Sequence, residues 1–167
     1  YCPRAGLDAL VAELRAAADA AAVERCVRAH TAGPDPGEIA AHHRAIETVF
    51  DRPSVASVRA AAAAESGGWG AEQWAVVEGR SPTSVRLAFA QLARGRALGF
   101  DDAMRLEYRI VHRILAGHDF FEGVRAVLID KDQRPAWRPA TLDAVDEGVI
   151  EGYFAPLPGG DLPLDWH

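Results

Sequence analysis

The chain has 167 residues, 49% of them hydrophobic and 25% charged, a composition suited to a globular domain with its own core. Its formal net charge of −6 argues against a nucleic-acid or anionic-membrane surface, which needs a basic excess. No apolar run approaches the roughly 20 residues of a membrane span, and the two cysteines, Cys2 and Cys26, suit a reducing compartment better than a disulfide framework.

The pattern is helical almost throughout, with no internal repeat and no convincing strand. Tyr1-Cys2-Pro3-Arg4 lacks an initiator Met, a basic n-region and an apolar h-region, so the chain is expected to begin inside a longer protein. Leu7, Leu10, Val11 and Leu14 recur at the spacing of a half-buried helix. A second helix is expected over about Ala20–His30, stopped by Gly33-Pro34-Asp35-Pro36, and a third over roughly Glu38–Phe50. Ser54, after Asp51-Arg52-Pro53, is placed to cap a helix whose Ala-rich run 60–64 has little to bury. Ser66-Gly67-Gly68-Trp69-Gly70 reads as a loop. It lacks the spacing and the preceding strand of a dinucleotide fingerprint.

Ser81-Pro82 sets a capping hydroxyl before a proline at the first helical position, and Val85, Ala88, Phe89 and Leu92 follow as the expected buried stripe. Asp101 or Asp102 opens the next helix, with Met104, Tyr108, Val111 and Leu115 on one apolar face and Gly117 at its end. Asp119 and Glu122 have capping-box spacing for a further helix, on which Phe120, Phe121, Val124, Val127 and Leu128 cluster on one side, the first four of them expected in the core. After Asp130 the chain turns extended through Pro135–Pro139. A short helix near Asp146–Phe154 then precedes a Pro/Gly-rich tail.

Few residues carry candidate chemistry. Glu107 falls inside the apolar arc of its helix, where a carboxylate must be paired; the expected partner is Arg86 or Arg125, in preference to a catalytic role. Arg105, Arg109 and Arg113 repeat every fourth residue and are expected on a solvated face. The six histidines form no metal pattern, and His112 and His118 lack the spacing of a triad. Lys131 is the one lysine of the chain, between Asp130 and Asp132 at the end of an apolar helix. It reads equally as a solvated side chain or as an anion contact at the helix tip.

Five blocks stand in order along the chain: Tyr1-Cys2-Pro3, Ser81-Pro82-Thr83-Ser84, Glu107-Tyr108-Arg109, His118-Asp119-Phe120, and Glu122–Asp132 followed by Pro135 and Trp137. Together they resemble the 3-hydroxyisobutyryl-CoA hydrolase branch of the crotonase (enoyl-CoA hydratase/isomerase) superfamily. The resemblance implies a mainly α chain over 1–167, the C-terminal helical part of an α/β crotonase fold whose β/α spiral core is absent. Residues 1–80 would be linking helices, 81–155 signature helices and 156–167 a tail.

It also implies acyl-CoA thioester hydrolysis in valine breakdown by the parent protein, with this part inactive alone. The oxyanion loops and acidic residues of such an enzyme have no match here, so no catalytic or metal residue is expected in the chain. Lys131 is the nearest match to a lysine that contacts the CoA phosphates in related hydratases. Coenzyme A enters as part of the substrate, with no separate cofactor. The implied partners are the N-terminal crotonase core and the acyl-CoA, compatibly with a homo-oligomer, and neither nucleic acid nor membrane; a cytoplasmic location is expected. The alternatives are an enoyl-CoA hydratase or isomerase parent, or a non-catalytic helical module that binds a protein.

Overall fold

A computed structural model describes residues 1–33 and 37–164, apart from the Glu38 side chain. The expected stop at Pro34-Asp35-Pro36 lies outside the described residues. Among those described, the regular structure is helical and no strand forms. The chain divides into two compact units, Tyr1–Arg44 and Ala45–His167.

In the first unit, α1 (Leu7–Ala16) and α2 (Ala20–His30) pack together, and Asp19 caps α2 by accepting the Ala22 amide at 2.6 Å. His30 Nε2 lies 3.1 Å from Glu13 Oε1, and the Ala32 amide donates to the Tyr1 carbonyl. Leu10 and Leu14 are half-buried, whereas Leu7 and Val11 remain exposed. Cys2 and Cys26 are free thiols. The helix expected over Glu38–Phe50 is broken at His42 into α3 (Glu38–Ala41) and α4 (His43–Phe50), and α4 carries the boundary between the units.

In the second unit, Ser54 and Ser57 form a reciprocal capping box for α5 (Val55–Ala64). The expected loop Ser66–Gly70 is shorter than its glycines suggest. Gly68, at φ 78°, supplies the left-handed turn, and α6 (Trp69–Glu78) starts directly after it. Ser81 caps α7 (Pro82–Gly95), with Pro82 in the first turn as expected. Then follow α8 (Phe100–Ile114), α9 (His118–Val124), a π-helical turn at Arg125–Ile129, and α10 (Glu147–Phe154), capped by Asp146.

Two apolar clusters share α7 as a wall. Val49, Val55, Val58, Ala62, Trp74 and Leu142 form one, with Val85 and Phe89 against it. Leu87, Ile110, Val145, Ile150 and Phe154 form the other, with Leu106 and Ile114 against it. Beyond Pro82 in its first turn, the buried residue of α7 is Leu87, at 3% exposure, rather than the far end of the predicted stripe, where Leu92 is 74% exposed.

The largest departure from expectation is on α8. Its predicted core face is open: Met104, Tyr108, Val111 and Leu115 are all exposed, and Ile110 is the buried residue. Glu107 shares the open side and accepts a hydrogen bond from Gln91, not from Arg86 or Arg125. Arg86 pairs instead with Glu147. Of the three arginines expected in solvent, Arg105 pairs with the exposed Asp102 one turn back, whereas Arg109 and Arg113 face inward. Arg109 makes a two-pronged bond to Asp161 and donates to the Phe154 carbonyl at 3.1 Å, while Arg113 donates to the Tyr153 and Pro156 carbonyls. These guanidinia close off the free carbonyls at the end of α10, which is why charge sits on a covered face.

Candidate functional site

The candidate site is built on α9, the π turn and the extended strap that follows, residues 130–139. Gly117, not Asp119, is the N-cap of α9, and neither Asp119 nor Glu122 is spent on capping. Both carboxylates hold the strap. Asp119 Oδ1 accepts the Arg138 amide at 2.9 Å and faces His118 Nδ1 at 3.0 Å, and its Oδ2 accepts the Ser81 hydroxyl at 2.5 Å. Glu122 accepts the Ala136 amide at 2.7 Å.

Trp137 lies across the helix at Gly123, where an added Cβ would sit 3.3 Å from the indole, and its Nε1 donates to the Gly79 carbonyl. The glycine of this segment is thus a place for the tryptophan to lie. Arg125 completes the construction. Its Nε and Nη2 donate to Glu122 at 3.0 and 2.8 Å, Nη2 donates to the Arg134 carbonyl, and Nη1 reaches Asp130 and Asp132, each at 2.7 Å. All five guanidinium N–H groups have an acceptor.

The electrostatics follow from these contacts. The Arg125 guanidinium, helped by the Ala136 amide, holds the Glu122 carboxyl at about 2, well under its ordinary 4.5. Arg125 and the Arg134 amide likewise lower Asp132. Burial pushes Asp119 up, but the hydrogen bonds from Ser81, His118 and the Arg138 amide outweigh it and leave the carboxyl below its usual range. Burial, with the nearby Asp119 charge, raises the Tyr153 phenol.

Ser81, Asp119 and His118 thereby form a cluster not foreseen from the sequence, beside a pocket of about 380 Å³ that Tyr153 and Trp137 also line. The order is wrong for a nucleophile. A triad places the imidazole between hydroxyl and carboxylate, so that the base can take the hydroxyl proton. Here the carboxylate is in the middle, and the Ser81 oxygen is already the cap that accepts the Ser84 amide. The cluster is a clamp joining α7, α9 and the strap. In the sequence Ser81 and Asp119 stand out only as separate cap candidates and blocks of the resemblance; that they meet across 38 residues is a long-range result of the fold.

Lys131 is exposed, and its backbone takes φ 57°, as does that of Gln133. Non-glycine residues reach this left-handed region at a cost. Between them, both Asp132 oxygens are engaged, one by Arg125 and one by the Arg134 amide. Among the described residues the Lys131 ammonium has no hydrogen bond or ion pair, although carboxylates flank it in the chain.

The site is bordered by apolar surface. Phe120, Phe121, Val127, Leu128 and Ile129 are all exposed, against the expectation that the first three lie in the core; Ala126 is the buried residue there. Elsewhere in the same unit, a groove of about 740 Å³ lined by Phe50, Val58, Trp74, Phe89 and Leu92 opens onto the first core cluster, with Arg96 and Asp51 3.6 Å apart at its edge. Among the described residues, no three His, Cys, Asp or Glu side chains converge as a metal site, and no helix is long and apolar enough to cross a membrane.

Comparison with known proteins places this architecture. The profile of a family described as enoyl-CoA hydratase/isomerase matches residues 1–154. The 3-hydroxyisobutyryl-CoA hydrolase, mitochondrial, of Gallus gallus is 37% identical over 123 residues, which cover 74% of this chain and 32% of that protein. The protein of the same name from Xenopus tropicalis is 33% identical over 137 residues, covering 82% and 36%.

Among solved structures, a carnitinyl-CoA dehydratase from Mycobacterium thermoresistibile superposes with a TM-score of 0.83 at 30% identity, over 96% of this chain and 45% of that one. An enoyl-CoA hydratase from Rhodobacter sphaeroides 2.4.1 gives 0.79 at 28%, over 97% and 46%. The chain thus spans about a third of the length of these curated relatives and under half of the solved structures, and its fold is the helical part of a crotonase fold. The chain belongs to the enoyl-CoA hydratase/isomerase family.

Proposed function

We propose that the whole protein hydrolyses a short 3-hydroxyacyl-CoA thioester of the 3-hydroxyisobutyryl-CoA class. This chain is then its C-terminal scaffold and lid, contributing a CoA contact at Lys131 and no catalytic residue. The observation that carries the reading is the Lys131 ammonium, held on a strained backbone and left without a partner among the described residues, beside apolar surface. A compact cation on a flexible stem suits a phosphate oxygen. The choice of hydrolysis over other family chemistry rests on the names of the curated relatives.

In this account the parent's core packs on the open faces of α8, α9 and the π turn. The core supplies backbone N–H groups to the thioester oxygen and acidic residues to the attacking water, and the CoA thiol departs. Coenzyme A is substrate, and no further cofactor is invoked. A cytoplasmic location is proposed on the free thiols Cys2 and Cys26, which suit a reducing compartment, although the curated relatives are named as mitochondrial.

A second reading has its own observation. The solved structures that superpose on this chain are titled as a dehydratase and a hydratase, so the parent chemistry would be addition or loss of water across a double bond. Thiol release from the acyl-CoA separates the two.

The CoA contact is tested in the full-length protein by Lys131→Ala. An exposed phosphate contact predicts a KM for the thioester raised about 3- to 10-fold with kcat little changed. An unchanged KM returns Lys131 to an ordinary surface role.

A further inference from the structure

We propose that Arg125 is the positioning residue of the Lys131 anion site: by binding Asp130 and Asp132 it withholds both neighbouring carboxylates from the lysine and keeps the ammonium available to a phosphate. The inference rests on the reading of Lys131 as a phosphate contact and adds the device that makes such a contact workable.

An Asp-Lys-Asp run is by itself a poor anion site. The ammonium stands between two carboxylates that any phosphate must displace and that repel the phosphate in turn. The structure removes both objections with one side chain. Arg125 Nη1 takes one oxygen of Asp130 and one of Asp132, each at 2.7 Å, and the second Asp132 oxygen is occupied by the Arg134 amide at 2.8 Å.

The guanidinium is itself fixed from behind. Glu122 grips Nε and Nη2, and the Arg134 carbonyl takes the remaining Nη2 hydrogen. Only a planar fork with five donors can serve these acceptors together, so a lysine at 125 could not replace it. The backbone agrees: the Asp130 amide donates to the Arg125 carbonyl and the Gln133 amide to that of Ala126, which ties both ends of the Lys131 turn to the helix. Two cations, Arg125 and Lys131, thus stand among three carboxylates, and among the described residues every bond to those carboxylates comes from Arg125 or a backbone amide.

The test uses the full-length protein with a CoA thioester and the same acyl thioester of pantetheine, which lacks the phosphates. Lys131→Ala is expected to raise the KM for the CoA ester roughly fivefold and leave the pantetheine ester unchanged. Arg125→Gln is expected to do the same. Adding Asp130→Asn and Asp132→Asn to Arg125→Gln is expected to return the CoA-ester KM most of the way, while the melting temperature stays low because the bonds to Glu122 and Arg134 are still lost. In the presence of Arg125, the Asn pair alone should shift KM by less than about twofold, since those carboxylates are already engaged.

If Lys131→Ala weakens the CoA ester but Arg125→Gln does not, the inference falls and the Lys131 contact stands. A triple variant as weak as Arg125→Gln would make Arg125 a structural staple only. The Asn pair is a check that leaves Arg125 in place: an improvement in KM of about fivefold or more would mean the carboxylates were never withheld. An unchanged CoA-ester KM in Lys131→Ala would remove the contact itself, and the inference with it.

Discussion

The two sides of the segment 118–129 end differently. On the side facing the strap, every polar group used finds a partner within the chain: Asp119 with Ser81, His118 and the Arg138 amide, and Glu122 with Arg125 and the Ala136 amide. On the other side, Phe121, Leu128 and Ile129 are 58%, 65% and 69% exposed. α8 repeats the contrast, with Arg109 and Arg113 closing the end of α10 while Phe100, Val111 and Leu115 stand open. Hydrogen bonds are directional and short, so a polar network closes with the acceptors at hand. An apolar face needs area, and three or four helices do not supply it here. The difference separates what this chain completes by itself from what it offers to another body.

That contrast can be attacked from both sides. The largest effect is expected for Leu128→Ala. In this chain alone it should change stability by less than about 0.5 kcal/mol, because the side chain is exposed; in the full-length protein it should cost about 2–3 kcal/mol if a core covers it. Chemical denaturation of both forms checks this, and a small cost in both would mean that the face is never covered.

Next comes Asp119→Ala, expected to destabilise the chain itself by about 2 kcal/mol, because the Ser81 hydroxyl and the Arg138 amide lose their acceptor. Asp119→Asn should recover part of this, as an amide oxygen can still accept. Equal losses in the two variants would count against the clamp.

A smaller effect is expected from acid. Glu122 is held at about 2 against an ordinary 4.5, so its contribution is present above about pH 4.5 and is lost as pH falls toward 2. Asp119, Asp132 and Asp161 are lowered too and act in the same direction. Denaturation midpoints across that window should fall, and less steeply in Arg125→Gln. The smallest effect is a gain. Gln133→Gly relieves a left-handed φ of 57° and should stabilise by up to about 1 kcal/mol without changing the KM for the CoA ester.

Much of the architecture was legible in the sequence where local chemistry dictates it. The ends of α2, the caps at Ser54 and Ser81, the short helix near Asp146–Phe154 and the extended strap all follow from short-range signals. Periodicity also found the apolar stripe of α8 correctly. It misjudged which stripe this chain buries, because an apolar face is defined by its partner and not by its own spacing.

Arg109 and Arg113 were misplaced for the converse reason. A charged row reads as solvated until the carbonyls of α10, some 40 residues further on, come to meet it. The α6 helix was missed because the glycines around Trp69 signal a loop, whereas Gly68 supplies only the turn that starts the helix. In the candidate site, Lys131 was visible as the single lysine. The carboxylate trap that leaves it free was not, since it depends on Arg125 reaching five and seven residues along the chain.

The central claim is that this chain is the non-catalytic helical part of an acyl-CoA hydrolase. It is tested most directly by thiol release from 3-hydroxyisobutyryl-CoA, measured side by side for the full-length protein and for residues 1–167 alone. The account predicts steady release of CoA thiol by the full-length protein and none above background by the 167-residue chain. Release by the short chain at a comparable rate would contradict it, as would a full-length protein that hydrates enoyl-CoA while releasing no thiol.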